Sequence, residues 1–308
     1  MAVSRAQLLK ELVPGLNALF GLEYKQYPQE WSDVFMTETS DRAFEEELKE
    51  SGFGLARTKS EGMGITYDNA QEVWVQRYTH QTVALGFAIT EEAMEDNLYD
   101  SLATRYTKAL ARSMAHTKEF TAVAILNNGF TTYNSGDAVT LFNTAHPTVA
   151  GNTNANTPTT QIDLNETAIE SMFIQIAGWV DERGLLLAAL PRKLVIPSNL
   201  TFSAERLLKS KYRVATADND VSAMLEVGVF PEGYTVNHRL TDTRQWIVTT
   251  DVPNGAKHFE RVPLKTSTEG DFETGNMKYK ARERYSFGVS DPLGLWSSSG
   301  GSGTSTQA

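Results

Sequence analysis

Five histidines, His80, His116, His146, His238 and His258, are the residues of this chain best suited to acid–base or metal chemistry. No two of them share a helical turn. A metal centre needs ligands gathered at short spacing, such as His-x-x-x-His on one helix face, and no such pair occurs. Asp218-Asn219-Asp220 opens like a calcium loop but lacks the central glycine and the later acids. His146, in "LFNTAHPTVAG", is the best candidate for a general base, yet no nucleophile can be assigned to it from sequence. The run Glu45-Glu46-Glu47 reads as part of a solvated helical face, with no sign of the burial that acid–base work by carboxylates requires.

Nucleotide chemistry is no better supported. Gly52-Phe53-Gly54 and Gly62-Met63-Gly64 lack a third glycine and do not lead from a strand into a helix. There is no Gly-x-Ser-x-Gly elbow. The chain has no cysteine, which excludes disulfides, thiolate metal sites and cysteine nucleophiles. The expectation is therefore no catalytic residue, no metal and no cofactor.

The 308 residues, 41% of them hydrophobic, suffice for one large domain or two closely connected ones. No run of about 18 apolar residues is present, so no membrane-spanning helix is expected. The N-terminal stretch is amphipathic and lacks the apolar core of a secretion signal. The net charge of −10 comes with no basic stripe, which argues against a protein that reads nucleic-acid sequence. Acids concentrate early, nine against three bases between Glu23 and Glu50.

The elements that would position any site are unusual. Residues 1–45 look like an arm, with two short amphipathic pieces interrupted at "VPGLN" and "YPQEW" and dense in aromatics such as Trp31 and Phe35. Gly52–Thr90 has two alternating runs, at Val73–Thr79 and Val83–Ile89, and reads as a long hairpin with little core of its own. From Thr90 an apolar residue recurs every fourth position, through Met94, Leu98, Leu102, Tyr106, Leu110 and Met114, until Asn127-Asn128-Gly129 stops the helix. Roughly 37 residues at 1.5 Å each give a rod of about 55 Å. A second helix carries Ile169, Phe173, Ile176 and Val180, and "RKLVIPSNL" is a buried strand entering a third helix. "RQWIVTTDVPNGAKHFERVPL" reads as a hairpin turning at Pro253-Asn254-Gly255. Tyr279–Val289 is a strand, Leu293-Gly294-Leu295-Trp296 an apolar plug, and the Ser/Gly tail from Ser297 a disordered segment.

An arm and a hairpin without a private core must bury their apolar side chains on other copies, which is the mark of an assembling protein. The order of parts resembles the major capsid protein of tailed bacteriophages, the shell fold named after Hong Kong phage 97. The resemblance runs through the arm, the hairpin, the rod helix, "LFNTAHPTVAGN" (similar to a loop of Mu-like head proteins), "DNDVSAMLEVGVFPEGYTVNHRLTDTRQWIVTTD" and the closing "YKARERYSFGVSDPLGLW". It implies an α+β capsid fold with an N-terminal arm at 1–50 and an extension-loop hairpin at 51–90. A peripheral domain would span 91–193 and 256–296 with a spine helix at 91–127, an axial domain 194–255, and a disordered tail 297–308. The Leu293-Leu295-Trp296 plug would seal the peripheral sheet.

The implied function is structural. Pentamers and hexamers of identical subunits would close into an icosahedral shell around double-stranded DNA, assembled in the host bacterial cytoplasm and resident in the virion. The resemblance further implies a separate scaffolding protein, a portal protein and room for a decoration protein, with DNA enclosed without sequence-specific binding and no membrane partner. Contacts between subunits are expected at Trp31 and Phe35 of the arm, at Arg57, Lys59, Arg77 and Tyr78 of the loop, and at Arg282, Arg284 and Trp296. Arg77 and Arg282 or Arg284 would pair with arm acids of a neighbour. The alternatives are the same fold as a bacterial nanocompartment shell, or a hydrolase using His146.

Overall fold

The computed structural model describes residues 5–90, 92, 93, 99–212, 223–271 and 273–301. Helix α1 (Arg5–Gln26) leads through one 3-10 turn (Glu30–Asp33) into β1 (Met36–Thr39), β2 (Phe44–Glu50), β3 (Glu72–Thr79) and β4 (Gln81–Ile89). The long helix α2 (Tyr99–Asn127) follows, then β5 (His146–Pro147), β6 (Thr153–Asn154), α3 (Glu166–Ala177), β7 (Pro191–Ile196) and α4 (Thr201–Lys209). Next come α5 (Ala223–Val227), β8 (Tyr234–Val236), β9 (Trp246–Thr250), β10 (Ala256–Gly270), β11 (Met277–Val289), a 3-10 turn (Pro292–Gly294) and β12 (Leu295–Ser298). Met94, Leu98, Asp218, Asn219, Asp220 and the tail beyond 301 lie outside the described residues.

Two four-stranded sheets carry the molecule. The first has the order β1-β10-β11-β4 and the second β12-β9-β7-β8. β11 alternates as far as Tyr285, burying Met277, Tyr279, Ala281, Glu283 and Tyr285, and is buried on both faces near its end. Met277, Tyr279 and Ala281 pack in one cluster with Leu110, Ala111 and Met114 of α2 and with Leu16 and Phe20 of α1. Pro263 lies inside β10, where its missing N–H cannot serve the ladder, and the β10–β11 register shifts on both sides of Val262. The 29 described residues of α2 make a rod of about 43 Å.

The structure corrects several expectations. α1 is one continuous 22-residue helix through Pro14, not two pieces. "FEEELKE" is not helical: it is β2, paired antiparallel with β3. The two runs expected to form the hairpin therefore part company, because β4 pairs with β11 in the first sheet. The protruding hairpin is β2–β3, with its tip at 52–70. β9 and β10 do not form a hairpin either, since they belong to different sheets. Pro253-Asn254-Gly255 is the crossing between those sheets, with Asn254 at φ 61°. Gly255 meets Gly294 there so closely that a Cβ on Gly294 would stand 2.4 Å from the Gly255 Cα.

The plug also sits elsewhere than expected. β12 pairs with β9, so Leu293 and Trp296 enter the core of the second sheet. Trp296 stacks 4.6 Å from Trp246 and donates its indole N–H to Gln175. Ser297 and Ser298 are fully buried, and their hydroxyls donate to the carbonyls of Trp246 and Ile162. The Ser/Gly stretch is thus ordered as far as Gly301, whose N–H reaches Asp163. The small side chains of Ser297 and Ser298 serve close packing here.

Candidate assembly surfaces

The arm folds onto its own subunit. The 3-10 turn at Glu30–Asp33 lays Trp31 on α2, where its backbone N–H donates to Glu119 at 3.2 Å. The indole packs 4.5 Å from His258 and 5.4 Å from Phe287, and Lys118 Nζ lies 5.1 Å above it. Phe35 joins the same cluster through Phe287. Glu30 accepts from Arg239 and from the backbone N–H of His238. Lys118 Nζ lies 3.6 Å from Glu283, also buried. Burial raises the Glu119 carboxyl to about 7, against the opposing pull of Arg239. Burial, with Lys118 adding to it, drops the His258 imidazole to about 3.

Trp31, Phe35, Tyr78 and Trp296 were expected to face a neighbour, but all four are buried inside their own chain. Tyr78 packs 4.8 Å from Phe259 and its hydroxyl meets Ser290. Each aromatic found an intrachain cavity because the arm and β12 fold back on the two sheets. Arg77 pairs with Glu46 at 3.7 Å and lies over Phe44, which is its own hairpin's cross-strand partner face rather than another subunit. Arg57, Lys59 and Arg282 are exposed and Arg284 is half-buried.

The two strands of the β2–β3 hairpin differ: β3 buries Tyr78 against Phe259, whereas β2 turns charged side chains to the body. Along β2 the charged Glu45, Glu47 and Lys49 face the body, while Phe44 and Leu48 face solvent at 38% and 41% exposure. Val75 of β3 lies outward too, half exposed. The inward face is held by charge: Lys257 meets Glu47 and Glu38, Lys49 meets Asp291, and Ser290 donates to Glu47. Burial pulls the Lys257 ammonium down, but Glu47 and Glu38 overcome it and hold it above its ordinary value. At the root of the tip, Arg183 donates to Asp68 and to the carbonyls of Asn69 and Gly52. The backbone N–H groups of Gly54 and Asn69, with Arg183, keep Asp68 below the usual carboxylate range. Beyond this clamp the tip exposes Phe53, Leu55, Met63, Ile65 and Tyr67. Sequence reading missed β2 and Arg183. The only signal was the alternation of "FEEELKE", whose charged face is the inner one.

His146 is held by hydrogen bonds at both ring nitrogens. Its Nδ1 lies 2.6 Å from Asp137 and its Nε2 3.2 Å from the Asn156 Oδ1. Asn156 is fixed in that orientation because its amide donates to the carbonyls of Leu141 and Pro292. Both ring nitrogens are thus engaged with acceptors in a buried site. Burial pushes Asp137 up, but hydrogen bonds from His146 and Ser135 prevail and hold it below its ordinary value. The residue ties the loop after α2 to the plug. Among the described residues no cluster of His, Asp and Glu could hold a metal ion, and no helix is long and apolar enough to cross a membrane.

The family model described as "Phage capsid protein" matches residues 73–298, nearly three quarters of the sequence. The chain belongs to the phage capsid protein family. Its fold is that of solved capsid structures. The capsid of an empty GTA particle superposes with TM-score 0.53 at 14% identity, covering 87% of this chain and 88% of the other. The capsid of Myoviridae phage XM1 gives 0.50 at 13% over 87% and 89%. The virus-like particle of Pyrococcus furiosus gives 0.50 at 11% over 92% and 97%. No curated protein matches the sequence. This capsid protein is therefore an α+β shell subunit of the Hong Kong 97 type. Its role is structural, its place is the virion capsid, and its partners include identical copies of itself.

Proposed function

We propose that this capsid protein assembles through pentamers and hexamers into an icosahedral shell that encloses double-stranded DNA, and that it has no enzymatic activity. The observation that carries the reading is the outer face of the hairpin. It presents Phe44, Leu48 and Val75 to water beside the exposed Glu46–Arg77 pair, a mixed face suited to contact with another copy. The extension loop, β2–β3 with its tip, lies over the adjacent subunit, and Arg57 and Lys59 on the tip and Arg282 and Arg284 on β11 meet acids there. Such rim pairs set register more than affinity.

In this reading the peripheral domain (91–193 and 256–296) is built on the first sheet and α2 and the axial domain (194–255) on the second sheet with α4 and α5, while α3 and β12, although within the peripheral ranges, pack on the second sheet. One core cluster on the first sheet and one on the second support that division, and a third, with Val195, Ile247, Ala256 and Val289, joins the two sheets. A scaffolding protein and a portal protein direct assembly in the host cytoplasm, and a decoration protein binds the finished shell. A net charge of −10 suits a DNA container, because a basic lining would hold DNA through counterion release. Particles purified from producing cells should protect double-stranded DNA from nuclease. Particles that instead protect only a protein cargo would replace this reading with that of a nanocompartment.

A further inference from the structure

The chain as a whole is acidic, but one element reverses the sign. Residues 101–118 of α2 hold four bases, Arg105, Lys108, Arg112 and Lys118, and no acid. Lys118 turns inward to Glu283. The other three are exposed. At about 100° per residue they fall within about 80° of one another, so they form a row on one face of the helix. Seven residues at about 1.5 Å each make the row about 10 Å long. Beside the cations stand Ala109 and Ser113, whose small side chains leave room for another molecule to approach.

The row borders an open groove of about 890 Å³ between the end of α1, α2 and the turn at His238-Arg239. Two guanidiniums meet one imidazole there. Arg112 Nε lies 3.4 Å from His116 Nε2, and Arg239 Nη2 lies 3.0 Å from His116 Nδ1. Burial, with Arg239 and Arg112 adding to it, pushes the His116 imidazole below its ordinary value and favours its neutral form. A neutral imidazole accepts at one nitrogen only, and a guanidinium cannot accept at all. One of the two contacts therefore lacks an acceptor. Arg239 is also held by Glu30, but Arg112 pairs with no carboxylate among the described residues. The acid lining the groove, Glu23, lies 3.9 Å from Lys108. An anion laid along the row would supply the acceptor that is missing.

We propose that the Arg105–Lys108–Arg112 face of α2 contacts the phosphate backbone of double-stranded DNA without reading its sequence. This rests on the DNA-container reading above and names the surface that meets the DNA. One strand of a duplex carries a phosphate about every 3.4 Å along the axis, so the row spans about three of them. A repeated charge with no converging groups to read base edges suits a repeating backbone. Another copy of this chain is a poorer occupant, because Glu30, Asp33, Glu38 and Glu47 are spent on cations of their own subunit. Three contacts per subunit fall far short of a basic lining, so the DNA is positioned and stays releasable.

Fluorescence anisotropy of a labelled duplex of about 20 base pairs, titrated with the unassembled subunit from about 20 to about 200 mM salt, reads the contact. Three neutralised phosphates predict a slope of log K on log salt of about −2.7, a loss of about 40-fold between about 50 and 200 mM. Lys108→Gln with Arg112→Gln, both at exposed positions, should bring the slope to about −0.9. Lys265→Gln is the control. Lys265 is exposed on β10, and its neighbour Thr266 reaches Asn17 of α1, so Lys265 points to the other side of the sheet. Its variant should keep the wild-type slope. Polyglutamate of matched charge, titrated in parallel, should bind more weakly than the duplex. Four results would each overturn the inference: no duplex binding by wild type at the lowest salt, an unchanged slope in the double variant, an equal fall in Lys265→Gln, or tighter binding of polyglutamate. The last would make an acidic protein segment the occupant. Each leaves the container reading standing, whereas particles that protect no double-stranded DNA overturn that reading itself.

Discussion

Replacing Glu119 with glutamine separates its charge from its hydrogen bond. Glu119 is 3% exposed, and one of its oxygens accepts from Trp31 while the other has no partner. Around it stand Arg239, 3.8 Å from its Oε2, and Glu30, Tyr24 and Trp31 of the arm. Its carboxyl rises from 4.5 to about 7 on folding, chiefly because burial penalises the charge. A raised acid holds its proton more tightly in the folded state. Its stabilising contribution is therefore complete below pH 4.5 and is lost as pH climbs through 7. A rise of that size is worth about 3 kcal/mol at 1.36 kcal/mol per unit. His258 works in the opposite sense. Its imidazole is depressed, so stability is lost as pH falls from 6.5 toward 3. Urea unfolding of the unassembled subunit at pH 5 and pH 8 reads the difference. Glu119→Gln keeps an acceptor for the Trp31 N–H and should match wild type at pH 5, then exceed it by up to about 3 kcal/mol at pH 8. A variant less stable than wild type at pH 8 would show that Arg239 needs the ionised carboxylate, and the burial argument would fail.

Three other outcomes follow from the same packing. Trp296→Ala opens a cavity beside Trp246 and should cost about 3–5 kcal/mol in chemical denaturation. His146→Ala strands Asp137 in a buried site and should cost about 3–5 kcal/mol, whereas a reading of His146 as a catalytic base predicts lost activity with stability kept. Val75→Asp should leave the unfolding free energy of the subunit within about 0.5 kcal/mol of wild type, because its side chain is half exposed, yet reduce rings in sedimentation velocity runs.

Much of the fold was legible where one periodicity dominates. The four-residue recurrence through Leu110 and Met114 gave the long helix, and the alternation of Tyr279–Val289 gave β11, because each period has a single burial solution. Partners were less legible than elements. β4 looked like the mate of β3, but local sequence does not encode which of two sheets a strand will join, and β11 claimed it. The same gap hid the crossing at Asn254, where a good hairpin turn connects two sheets. β2 escaped because its inward face is wholly charged, Glu45, Glu47 and Lys49, and its two apolar residues point outward beside Glu46 and Glu50. The arm aromatics were correctly singled out as needing a surface, but the surface was their own α2 and β10. Of the cations expected at subunit contacts, Arg57, Lys59, Arg77 and Arg282 stand exposed and Arg284 is half-buried.

Negative-stain electron microscopy of the purified subunit, at low and high protein concentration and with a scaffolding protein co-expressed, tests the central claim most directly. The account predicts rings of five and six subunits and closed shells that grow more abundant with concentration. A uniform dimer or tetramer at every concentration, still unassembled with the scaffold present, would contradict it.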